Sequence, residues 1–97
     1  MSLQEQYPTL WNFFGACFPD ADFDNLTDEA VVAQYKANAR ASGVARAVAE
    51  LDRLLTDAAH WETAAGEANR YFETPAEMRQ WLLMVRKELA GSAPPLA

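Results

Sequence analysis

The stretch Tyr7–Glu29, YPTLWNFFGACFPDADFDNLTDE, decides the fold class. Leu10, Phe13, Phe14, Cys17 and Phe18 recur at i, i+3, i+4, i+7 and i+8, the stripe of a helix that buries one wide face. Pro8 suits the first helical position, because its φ is already fixed and its missing N–H would have no partner there. The spacing predicts a helix from Pro8 that Pro19 stops, since a proline removes one hydrogen bond and crowds the preceding turn. The second half of the stretch changes character. Asp20, Asp22, Asp24, Asp28 and Glu29 follow with no basic residue among them, and residues 19–26 are expected to form an acidic loop. Thr27 is placed to N-cap the next helix, with Asp28 and Glu29 in its dipole-favoured first turn.

Outward from this stretch the pattern stays helical, and no period-2 strand is evident. A second helix is expected from about Asp28 to Ala41, with Val31 or Val32, Tyr35 and Ala39 inward, ending at Ser42-Gly43. A third carries Val44, Val48, Leu51, Leu54 and Leu55 on one face, while Arg46, Glu50, Asp52 and Arg53 read as a solvated face. Trp61, Ala65, Ala68, Tyr71 and Phe72 space a fourth, weakened by Gly66. The fifth has Thr74 as N-cap, Pro75 at the first position, Glu77 as capping-box partner and an apolar stripe of Met78, Trp81, Leu82, Val85 and Leu89. Gly91 is the expected left-handed C′ residue. The fold class is therefore all-α, a compact antiparallel bundle of about five helices. The chain reads as one helical domain over 1–97, with its core at about 7–90 and a flexible tail at 91–97.

Composition narrows the functional classes. The 97 residues are 51% hydrophobic and hold three Trp, three Tyr and five Phe, enough to fill a core and too apolar for a disordered chain. No run is long enough to span a bilayer, and the N-terminus lacks a basic head and an apolar signal stretch, so the expected compartment is the cytoplasm. Cys17 is the only cysteine, which excludes an intrachain disulfide and fits a reducing compartment. The formal net charge is −6, and its distribution says more than its size. Residues 1–35 hold six carboxylates and no Lys or Arg, whereas residues 36–97 hold eight of each sign. Clustered cations for phosphate neutralisation are missing, so direct nucleic-acid binding is not expected. A basic partner is, because complementary potentials speed encounter and select partners.

The chemistry-bearing residue types are sparse. His60 and Cys17 stand alone and far apart, without the local motif of a catalytic dyad, and there is no His pair to open a metal site. Asp20-x-Asp22-x-Asp24 resembles the opening of a calcium loop. The match then fails, with Asn25 where the sharp turn needs Gly and Val31 where the closing Glu belongs. No cofactor, no metal and no enzymatic activity are expected. Trp11, off the buried stripe, is either a partner hot spot or, more simply, packed beneath a neighbouring helix.

A family resemblance extends this reading. Tyr7-Pro8-x-Leu10-x-x-Phe13-Phe14-Gly15-Ala16-Cys17-Phe18 resembles the opening of small bacterial immunity proteins of contact-dependent growth inhibition systems. Glu50-Leu51-Asp52-Arg53-Leu54-Leu55 and Trp81-Leu82 resemble their later motifs, so the likeness spans about residues 7–89. Cys17 stands in place of the usual Tyr, and Pro19-Asp20-Ala21-Asp22-Phe23 in place of a His-Gln-Asp-Trp turn. The resemblance implies that Gly15 allows close helix packing and that the protein neutralises the toxic C-terminal domain of a large secreted protein by stoichiometric binding. Toxins of this kind are often nucleases with basic grooves. Asp20, Asp22, Asp24, Asp28 and Glu29 are then the expected partner-binding residues. The competing classes are an acidic interaction or adaptor module, homo-oligomeric through Trp11, and a metal-binding or enzymatic domain built on the acidic loop.

Overall fold

The computed structural model describes residues 3–90, with the side chains of residues 20–24 left aside. The protein is all-α: six helices and no strand among the described residues. They are α1 (Leu3–Gln6), α2 (Pro8–Asp24), α3 (Asp28–Asn38), α4 (Ala41–Leu54), α5 (Trp61–Glu67) and α6 (Pro75–Ala90), with a 3₁₀ turn at Ala58–His60 leading into α5. The expected Gly91 cap and the 91–97 tail lie outside the described residues.

The aromatic stripe of α2 forms the centre. Leu10, Phe14 and Phe18 are fully buried and Phe13 nearly so. Helix α2 packs against α3, α4 and α5, and α6 closes the other side against α3, α4 and α5. Phe13 stacks on Tyr35 of α3 with ring centroids 4.0 Å apart. Phe14 and Phe18 both meet Trp81 of α6, at 5.3 and 5.2 Å. Trp11 and Cys17 are half-buried and packed against this core, the simpler of the two readings of Trp11.

Pro19 does not stop α2. The helix runs through it to Asp24 and ends where Asn25 takes a left-handed φ of 59°. Pro19 has no N–H to give to the Gly15 carbonyl, but a single missing rung is survivable when the ladder resumes beyond it. Phe18, fully buried, anchors the turn just before the proline. The acidic segment is thus two elements, a helix end and a helix start, joined by a short turn at Asn25–Thr27.

Other boundaries moved for local reasons. Helix α3 ends at Asn38, whose side-chain amide donates to the Gln34 carbonyl at 2.9 Å. The chain then breaks at Ala39 and Arg40, both extended, with Ser42 and Gly43 inside the first turn of α4. Helix α5 ends at Glu67, and Asn69 follows with φ 60°, so Tyr71 and Phe72 leave the helical face. Tyr71 is 81% exposed. The capping box of α6 is as expected: Glu77 N donates to Thr74 Oγ1 at 3.2 Å, and Glu77 Oε1 accepts from Thr74 N at 3.2 Å.

Glu50 overturns one expectation of the sequence. It is 4% exposed and belongs to the buried stripe of α4 with Ala47, Leu51 and Leu54 at i−3, i+1 and i+4. Its carboxylate accepts from Leu10 N at 3.0 Å and from Thr9 N at 3.3 Å, capping the N-terminus of α2 from across the core. An apolar-periodicity argument cannot place a carboxylate inside, because the partners that make burial tolerable are forty residues away. Asp52 does face solvent, but it pairs with Arg86 and so ties α4 to α6; that hydrogen bond, against slight burial and with help from the guanidinium charge, holds its carboxyl below the usual range.

Candidate partner-binding face

The acidic segment is carried by the C-terminal turns of α2 and the N-terminal turn of α3. The backbone of Asp20–Asp24 is helical rather than wound as a cation-binding loop. Thr27 Oγ1 accepts from Ala30 N at 3.1 Å, the N-cap expected from the sequence. Glu29 is exposed in the first turn, and Asp28 is half-buried.

Asp28 is committed to an internal clamp. Arg70, in the turn after α5, donates Nη2 to Asp28 Oδ1 at 2.6 Å and Nε to both carboxylate oxygens at 3.1 Å. Trp81 Nε1 donates to Asp28 Oδ2 at 2.7 Å. The Arg70 guanidinium also lies 5.5 Å from the centre of the Phe18 ring, and its Nη1 donates to the carbonyls of Ala68 and Asn69. One carboxylate therefore joins α3, the α5–α6 connection and α6. Burial alone would raise the Asp28 carboxyl, but the hydrogen bonds from Arg70 and Trp81 and the nearby guanidinium charge outweigh it and hold the group below its ordinary value.

The sequence did not single out Arg70. Its role depends on Asn69 turning the chain through left-handed space, which points the next residue back toward α3; an Asn after an Ala-rich helix was the only available signal. Nor did it foresee the groove that lies beside the clamp, about 510 Å³ and open to solvent, between the start of α3 and the middle of α6.

A second polar cluster lies at the opposite end of α2. Tyr7 is buried and donates its hydroxyl to Asp57 Oδ2 at 2.9 Å, while His60 Nδ1 lies 2.8 Å from the same oxygen. The Arg53 guanidinium sits 5.0 Å from the Tyr7 ring centre. Burial and the Asp57 contact push the Tyr7 hydroxyl up, so it remains a neutral donor. This cluster fastens the N-terminal segment to the α4–α5 connection. Among the described residues no three His, Cys, Asp or Glu side chains converge as a metal-ligand set, and no helix is long and apolar enough to cross a membrane.

Against known families, residues 6–89 match the model described as CdiI immunity protein. The chain belongs to the CdiI immunity protein family. The matched span contains the whole of α2–α5 and all of α6 but its last residue, and with them the Glu50 cap, the Asp28 clamp and the acidic segment. No curated protein and no solved structure gives a significant match. Toxin immunity is the general role of a CdiI immunity protein, a cognate toxin is its general partner, and the family is generally non-enzymatic.

Proposed function

We propose that this protein, acting in the cytoplasm as one helical domain, holds the toxic C-terminal domain of its cognate contact-dependent growth inhibition toxin in a stoichiometric complex and silences it by occupancy, without turnover. The family match over residues 6–89 carries the reading. The charge distribution refines it: every unit of the net −6 resides in the first 35 residues, and the Asp20–Glu29 segment holds five of those six carboxylates. Asp20, Asp22, Asp24 and Glu29 are the proposed electrostatic contacts for a basic toxin surface, of the kind a nuclease uses to hold phosphate. Asp28 shapes this face from within, since its carboxylate already serves Arg70 and Trp81.

The test is to express the toxin domain encoded beside this chain with and without the chain, and to follow growth. Cells that die in the presence of ample folded protein would refute the assignment. A triple reversal, Asp20→Lys with Asp22→Lys and Asp24→Lys, is expected to slow association with the toxin by about tenfold at low salt while leaving helicity intact. An association rate equal to wild type would remove these residues from the interface.

A further inference from the structure

We propose that the groove between the start of α3 and the middle of α6 docks an arginine side chain carried on a basic segment of the partner protein. This rests on the immunity reading above and narrows it to one surface. The floor is apolar and partly aromatic, made by Phe72, Trp81 and Met84. The rim carries the exposed side chains of Glu29, Glu77 and Gln80. At about 510 Å³ the groove is in the range of ligand clefts and has room for one long side chain with its flanking backbone.

The chemistry of floor and rim selects the occupant. A guanidinium is planar and weakly hydrated, lies on aromatic faces and pairs with carboxylates, so it fits an aromatic floor under an acidic rim better than an ammonium does. The same molecule uses this combination internally, where the Arg70 guanidinium lies over Phe18 and pairs with Asp28, itself one of the residues lining the groove. Because Asp28 is matched by Arg70 and Glu77 Oε1 already accepts from the backbone N–H groups of Glu73 and Thr74, the rim charge left to a visitor is that of Glu29 and of the second Glu77 oxygen. The groove abuts Glu29, the last carboxylate of the acidic segment, so a basic surface drawn to that segment is delivered to it. A nucleic acid would bring phosphates against carboxylates. A second copy would bring its own acidic segment against this one. An apolar helix would leave the rim carboxylates desolvated and unpaired.

The measurement is the affinity of the purified toxin domain encoded beside this chain for the full-length protein and three variants, each checked for wild-type helicity. Glu29→Lys and Gln80→Lys change the exposed rim, whereas Glu62→Lys reverses an exposed charge on α5, away from the groove. The expected result is a loss of about tenfold or more for each rim variant, chiefly through faster dissociation, with the Glu62→Lys complex unchanged. Rim variants that bind within twofold of wild type overturn the groove while leaving the immunity reading in place. A wild-type chain that fails to bind the toxin domain overturns both. A loss of similar size with Glu62→Lys also overturns the groove, since the effect would then follow net charge rather than place.

Discussion

Replacing Glu50 with Ala removes a carboxylate that the fold uses as a helix cap. Two backbone donors lose their acceptor. Leu10 N–H is buried with its residue fully inaccessible, and stranding such a group costs about 1–3 kcal/mol. Thr9 N–H is part-buried and its contact is longer, 3.3 Å, so water recovers most of that bond. The favourable position of a negative charge at the N-terminus of α2 adds up to ~2 kcal/mol in a partly buried setting, although this overlaps with the hydrogen bonds themselves. Against these losses, Ala no longer bears the desolvation of a buried carboxylate, which pulls the net cost down. The balance is a destabilisation of about 2–3 kcal/mol, a large share of the ~5–15 kcal/mol that holds a typical domain together. For a chain of this length that corresponds to a fall in Tm of roughly 10–20 °C. Glu50→Gln keeps one oxygen for Leu10 N–H but turns an amide donor toward the other site and loses the charge, so it is expected to cost about half as much. Urea unfolding followed by circular dichroism measures both. An Ala variant within ~0.5 kcal/mol of wild type would refute the capping role, as would a Gln variant less stable than Ala.

Asp28 makes stability pH-dependent in a defined direction. Its folded carboxyl titrates below the unfolded value of about 3.9, so its contribution is full above that value and is lost as pH falls through the folded one. Asp28→Asn should therefore lower the urea midpoint at pH 7 and flatten its decline below about pH 4; parallel wild-type and variant profiles would contradict this. Phe14→Ala, which empties the site between Phe13, Phe18 and Trp81, is expected to cost ~3–5 kcal/mol, and to couple with Trp81→Ala by more than ~0.5 kcal/mol in a double-mutant cycle of chemical unfolding. Gly66→Ala places its methyl in open space within α5 and should raise stability by about 0.5–1 kcal/mol in the same assay. Gly15 behaves differently, because a Cβ there would meet Glu67 Oε2 at 2.5 Å. The obstacle is the free end of a flexible side chain, so Gly15→Ala is expected to displace the Glu67 carboxylate rather than separate α5 from α2.

Local pattern alone was sufficient for the helical class, the aromatic stripe of α2, the Thr27 cap and the capping box of α6. These are written in residues three or four positions apart, and a helix brings just those residues together. The family motifs near Phe13-Phe14-Gly15, Leu51 and Trp81 were legible for a related reason, since they are core positions whose apolar character the fold requires. The failures share the opposite property. Pro19 stays helical where Phe18, just before it, is locked into the core against Trp81 of α6. Glu50 is inside because Leu10 N–H waits for it across the core. Asp28 became a clamp because Arg70, just after the left-handed Asn69, reaches back to α3. Each outcome depends on a partner tens of residues distant or on a backbone turn with a weak local signal. The free energy of a polar group is decided by whether it finds that partner, and only the packed chain brings the two together.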